Sequence, residues 1–192
     1  MKFSTTGGSS RRIKAKVGSK TRPTTAKVRK AIFDTLYARF DFENSAVLDL
    51  FAGTGALGFE AASRGAKRVV FVENDFLAAT AIKENILNFT RGTTEQISMQ
   101  VVRRDVLKYI QDADLLGNRM DICFCDPPYD FSSWERLLSY KPATFVVAES
   151  DKEVHPTDAY EIVTIKRYGG TVVTFMRRFQ SQLEQDFLSE VN

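Results

Sequence analysis

Histidine occurs once in the 192 residues and cysteine twice. So few soft ligands cannot form the Cys/His clusters that hold zinc, and no catalytic metal is expected. His155 stands before Pro156 in a polar stretch with no acid partner placed by the sequence, and reads as a solvated loop residue rather than a proton shuttle. Cys123 and Cys125 lie two apart on one face of an apolar run, too near along the chain for an ordinary disulfide, and read as small core residues. The single tryptophan, Trp134, reads as packing for a short helix. No apolar run approaches the roughly 18 residues of a membrane span, and the amino terminus lacks the apolar stretch of a signal peptide. A cytoplasmic protein with no membrane partner is expected. Repeats and low-complexity linkers are also missing, and 43% apolar residues suit one domain spanning 1–192.

What the chain has is charge, unevenly placed. Residues 1–40 hold eleven Lys or Arg against the single acid Asp34, a charge of +10, while the remainder holds sixteen basic and twenty-three acidic residues, −7. Arg11, Arg12, Lys14, Lys16, Lys20 and Arg22 stand among Gly, Ser and Thr in a basic arm at about 1–24. That composition suits the tracking of a phosphate backbone, and RNA is the favoured polyanion. The arm leads into a helix at about Thr25 to Arg39, whose Val28, Ile32 and Leu36 form a packing face while Lys27, Arg29 and Lys30 fall elsewhere and face RNA.

The apolar run Asp121 to Cys125 ends in Asp126-Pro127-Pro128-Tyr129. The turn offers a carboxylate, prolines that cannot donate, free backbone carbonyls and an aromatic face. These suit an exocyclic amino group on a planar base, a poor nucleophile because its lone pair is delocalised. If the Asp126 carboxylate and the Pro127 carbonyl accept its two N–H bonds, the lone pair turns toward an electrophile while Tyr129 stacks on the ring. A strand-ending turn with no chemistry would use the same residues, so a second motif has to decide.

Upstream, Ala46 to Leu50 reads as a buried strand entering Phe51-Ala52-Gly53-Thr54-Gly55-Ala56-Leu57-Gly58. Gly53 and Gly55 permit a tight turn and close backbone approach, and Gly58 lets the next helix, about Ala56 to Ser63, pack near the strand. The strand Val69 to Val72 ends at Glu73, twenty residues after Gly53, where a ribose-binding carboxylate is expected. A nicotinamide dehydrogenase shares the glycine pattern but has no use for an amino-acceptor turn. S-adenosylmethionine uses both: Asp49, Phe51 and the Gly53–Gly55 turn near its methionine end, Glu73 on the ribose, and Asp105, after the strand ending near Arg104, beside adenine. In-line transfer needs no covalent enzyme intermediate. Positioning alone contributes roughly 7 to 11 kcal/mol relative to separated reactants.

Further helices are expected at Phe76 to Phe89, Val106 to Ala113 and Trp134 to Leu138, strands at Asp121 to Cys125 and Phe145 to Ala148, and a polar loop at Thr90 to Gln96. Tyr160 to Arg167 and Thr171 to Arg178 alternate as an antiparallel hairpin across Gly169-Gly170.

Read together, Arg22-Pro23-Thr24-Thr25, Leu48 to Gly58, Ser63-Arg64-Gly65-Ala66, Phe71-Val72-Glu73, Asp126 to Tyr129, Val146 to Glu149 and Tyr168 to Thr171 resemble the bacterial 16S ribosomal RNA (guanine-N2)-methyltransferase family of class I methyltransferases. The resemblance covers most of the chain. It implies a Rossmann-like, mostly parallel, seven-stranded doubly wound α/β sheet with one antiparallel strand. It also implies methylation of a guanine N2 in 16S ribosomal RNA by a monomer acting within a 30S subunit or assembly intermediate. The pocket residues by themselves do not separate guanine N2 from adenine N6. A DNA adenine-N6 methyltransferase and a non-catalytic RNA-binding assembly factor remain alternative readings.

Overall fold

Strands that are apolar on both faces belong in the middle of a sheet covered by helices on each side. The computed structural model, which describes residues 2–4, 10–12, 26–91, 96–115 and 120–179, has that architecture. The main sheet is built from β3 (Ala46–Leu50), β4 (Arg68–Glu73), β5 (Ser98–Arg103), β6 (Ile122–Cys125), β7 (Phe145–Ser150), β8 (Tyr160–Tyr168) and β9 (Thr171–Arg178), in the order β5-β4-β3-β6-β7-β9-β8. All neighbours from β5 to β7 pair in parallel, and β9 runs antiparallel to both β7 and β8. The expected seven-stranded sheet with one antiparallel strand is therefore present.

Among the described residues five helices cover it: α1 (Ala26–Leu36), α2 (Ala56–Ser63), α3 (Phe76–Thr90), α4 (Val106–Leu115) and α5 (Trp134–Ser139). One core layer joins α1, α2 and α3 to the sheet through Ile32, Phe33, Phe59, Ile82, Phe71, Phe124 and Phe175. The opposite layer joins α4 and α5 through Val106, Ile110, Trp134 and Leu137, and holds Cys123 and Cys125. The two thiols are fully buried with sulfurs 3.5 Å apart, and burial pushes the Cys123 thiol well up, so both are core residues and Cys123 stays a thiol. No helix among the described residues is long and apolar enough to cross a membrane.

Three details depart from the sequence expectation. First, β9 does not alternate. Val172 to Met176 are buried on both faces because the strand is inserted between β7 and β8 rather than lying at an edge. Second, Arg29 does not face outward. It is buried, its guanidinium stands 3.8 Å from Glu60 on α2, and burial lowers its pKa against the pull of that carboxylate. Glu60 also takes a hydrogen bond from Arg64 at 2.8 Å, so the pair ties α1 to α2. Third, part of the basic arm is a two-stranded antiparallel ribbon, β1 (Lys2–Ser4) with β2 (Ser10–Arg12), in which Lys2 lies opposite Arg12. The polar, glycine-rich composition gives no apolar alternation that would signal it.

The contact of α2 with β4 depends on Gly58. A Cβ there would stand 2.9 Å from Val69 Cγ1 and closer still to Phe71 Cε1, both in fully buried side chains. Gly58→Ala is therefore expected to cost roughly 1 to 3 kcal/mol through overpacking, read as a lowered midpoint in urea unfolding.

Candidate active site

The carboxyl edge of the parallel strands carries a row of acids, and the turns around them are shaped by their carboxylates. Asp49, in β3, is buried and accepts a hydrogen bond from the Gly58 N–H at 2.9 Å, which fixes the start of α2. Glu73, the last residue of β4, uses both oxygens: Oε2 accepts from the Gly53 N–H at 2.7 Å and Oε1 from the Asp75 N–H at 2.8 Å. Asp105, two residues past β5, accepts from the Lys108 N–H at 3.0 Å and caps α4. Asp126 follows β6 directly, and the Phe131 N–H closes the next turn on the Pro128 carbonyl at 2.9 Å.

Between β3 and α2 the chain passes through three residues of positive φ: Phe51 at 58°, Gly53 at 54° and Gly55 at 76°. Phe51 is the strained one, since a side chain resists that region. Its ring meets Phe131 edge-on at 5.1 Å, and Phe131 meets Trp134 at 5.2 Å and 87°, so three aromatic rings hold the turn against α5. Trp134 is thus a packing residue, as its sequence position suggested, and His155 is exposed in the loop before β8. Over Gly53 the space is open: a Cβ would approach no atom beyond its chain neighbours closer than the Phe51 carbonyl at 3.9 Å. A ligand can reach bare backbone there.

A cleft of about 830 Å³ runs along this edge. Of the residues singled out in the sequence, Phe51, Glu73, Asp105, Asp126, Pro127 and Tyr129 line it together. Tyr129 is 48% exposed, so its ring is available to a ligand. Asp49, Gly53 and Gly55 are not among the lining residues, and the first two act on the cleft through the hydrogen bonds just given. Arg11 and Arg12 lie in β2, while Lys14, Lys16, Lys20 and Arg22 fall outside the described residues. Val28, read from the sequence as a packing residue, and Asn74, Leu107, Glu149 and Thr171, to which the sequence gave no role, also line the cleft.

Burial raises the Asp49 pKa well above the usual carboxylate range; the Gly58 N–H opposes the shift, and repulsion from Asp126 and Glu73 adds to it. Asp49 thus has two like-charged neighbours at the same edge of the sheet. The raised value also sets a sign. Stability tied to Asp49 is fully present below the ordinary carboxylate pKa and is lost as pH rises through the raised folded value. Asp49→Asn keeps an acceptor for Gly58 without the charge. Its unfolding midpoint, relative to wild type, is expected to climb in thermal melts as pH rises above the ordinary carboxylate range.

Phe51 at the head of the glycine turn, the acid at the end of β4 and the Asp126-Pro127-Pro128-Tyr129 turn after β6 line one cleft. The sequence profile of the family described as Conserved hypothetical protein 95 matches residues 5–177. The chain is 35% identical over 180 residues to Bacillus subtilis YlbH, provisionally named an rRNA methyltransferase, with 88% of this chain and 94% of that one covered. It is 31% identical over 167 residues to ribosomal RNA small subunit methyltransferase D of Haemophilus influenzae, covering 83% of each. The chain belongs to this family of class I methyltransferases. A hypothetical protein of Thermus thermophilus, 30% identical, superposes with a TM-score of 0.70 over 85% of this chain and 92% of that one. The methyl donor of such a methyltransferase is S-adenosylmethionine. The residues present fit that cofactor: open backbone over Gly53, and the Glu73 carboxylate that accepts from that turn and lines the cleft.

Proposed function

We propose that this methyltransferase modifies the exocyclic N2 amino group of a guanine in 16S ribosomal RNA, within a 30S subunit or an assembly intermediate. The observation that carries the reading is the Asp126-Pro127-Pro128-Tyr129 turn in the same cleft as Glu73 and Asp105. The name of the Haemophilus influenzae relative supports a small-subunit RNA substrate. The strongly basic first forty residues give it a polyanion to hold.

S-adenosylmethionine supplies an activated methyl group on a sulfonium centre. Glu73 would hold the ribose hydroxyls, Asp105 would stand beside adenine, and Asp49, through Gly58, would keep the glycine turn in shape. On the substrate side, Asp126 and the Pro127 carbonyl accept the two N–H bonds of the amino group and stabilise the positive charge that grows on its nitrogen. Tyr129 stacks on the base, and Arg11, Arg12 and the basic residues up to Arg22 bind the RNA backbone.

The test is incubation with radiolabelled S-adenosylmethionine and undermethylated 30S particles, naked ribosomal RNA or DNA, followed by nuclease digestion and mass spectrometry of the labelled base. N2-methylguanine in 16S RNA is expected. N6-methyladenine in DNA would overturn the reading in favour of a DNA enzyme, and cofactor binding without label on any substrate would favour a binding-only role.

A further inference from the structure

The substrate end of the cleft holds two polar side chains to which the chemistry above gives no task, Glu149 and Thr171. Both are nearly buried, at 7% and 6% exposure. Their placement follows from strand alternation. Ile122 and Phe124 of β6, Phe145 and Val147 of β7, and Val173 and Phe175 of β9 all face the core layer under α1. Counting on by twos puts Asp126, Glu149 and Thr171 on that same face. In register, Cys125 pairs with Ala148, so the next step sets Asp126 beside Glu149. Because β9 is antiparallel to β7, its first residue, Thr171, lies at the carboxyl edge as well. Three consecutive strands, about 4.8 Å apart, therefore present a carboxylate, a second carboxylate and a hydroxyl to one patch of cleft under Val28.

Two carboxylates side by side, with a hydroxyl two residues further out on β9, suit one nucleobase edge. A flipped base is read along its Watson–Crick edge, and from N2 to O6 guanine offers an amino donor, the N1–H donor and a carbonyl acceptor. Adenine offers its amino donor beside an unprotonated N1, and a carboxylate facing N1 would repel it. We propose that Glu149 is the specificity-determining residue of this enzyme, accepting the guanine N1–H while Asp126 and Pro127 hold the N2 amino group, with the Thr171 hydroxyl donating to O6. This rests on the guanine-N2 reading and adds to it the means by which adenine is refused.

The test uses full-length protein and 30S particles rebuilt on 16S RNA ligated to carry either guanine or 2-aminopurine at the nucleotide mapped above. 2-Aminopurine keeps the amino group, but its N1 is unprotonated and its C6 has no oxygen. Wild type is expected to prefer guanine by about ten- to a hundredfold in kcat/KM, the range for loss of hydrogen bonds to a charged group. Glu149→Gln, whose amide can donate to the bare N1, should bring the two substrates within a few-fold of each other while its cofactor Kd stays at the wild-type value. Glu149→Asp, which withdraws the charge by one methylene, should lower the guanine rate more than the 2-aminopurine rate, so that the preference narrows. It is the variant to read if Glu149→Gln does not fold. A Glu149→Gln enzyme that retains the wild-type ratio, a Glu149→Asp enzyme that loses rate on both bases equally, or a wild type indifferent to the two bases would overturn the assignment and leave guanine methylation standing. N6-methyladenine as the wild-type product would instead overturn the reading beneath it.

Discussion

Asp126→Ala is expected to lower kcat by roughly 10²- to 10³-fold, the range seen when one preorganised group that stabilises transition-state charge is removed. Methyl transfer leaves the attacking nitrogen more positive than it began, so an acceptor on its N–H is worth more in the transition state than in the ground state. Such an interaction lowers kcat when removed and leaves ground-state binding nearly intact. The cofactor Kd, measured by calorimetry, should therefore change little. Stability offers an independent check. Asp126 adds to the repulsion that raises the buried Asp49, so its removal takes away a like charge from the cluster. The unfolding midpoint should not fall in step with activity, the pattern expected of a group kept for chemistry at some cost to the fold. Asp126→Asn keeps one acceptor oxygen and loses the charge, and belongs between the two. A folded Asp126→Ala protein with a near-normal rate would remove this residue from the mechanism.

Most of the sheet was legible because parallel strands covered on both sides are written as unbroken apolar runs, and each such run here ends in a turn with a distinct signal. The glycines after Leu50, the acid after Val72 and the prolines after Cys125 each mark a strand end locally, and a parallel sheet brings strand ends to one edge without further information. Thr171 could not be placed that way. Its neighbourhood depends on β9 being inserted between β7 and β8, a long-range pairing that no local pattern declares. The role of Arg29 was hidden for a similar reason: helical spacing separates it from the apolar stripe of α1, but its burial comes from Glu60 on another helix. Asp49 shows the reverse limit. Its importance was visible, yet only the fold reveals that its carboxylate serves the Gly58 N–H and that its charge is disfavoured by burial and by two other acids.

Glu73 illustrates how a residue of one assigned role can carry two, and its substitution should have the second large effect. Its oxygens already accept the N–H groups of Gly53 and Asp75, which holds the glycine turn to the end of β4 and sets the entry to α3. A carboxylate oxygen has more than one lone-pair site, so the same group retains capacity for the ribose hydroxyls assigned to it above. Glu73→Ala removes both functions, and the Kd for S-adenosylmethionine should rise roughly a hundredfold or more, as for two lost hydrogen bonds to a charged acceptor. Glu73→Gln is the sharper experiment. An amide has one acceptor oxygen and one donor nitrogen, and here both positions face backbone donors, so either orientation turns N–H toward N–H. The nearly isosteric change should therefore weaken cofactor binding about as much as Glu73→Ala and lower the unfolding free energy by roughly 1 to 3 kcal/mol, the cost of a donor left without its acceptor. A Glu73→Gln protein that melted and bound cofactor like wild type would show that neither backbone bond organises the turn. The ribose assignment would fall with it, because the same two oxygens serve both.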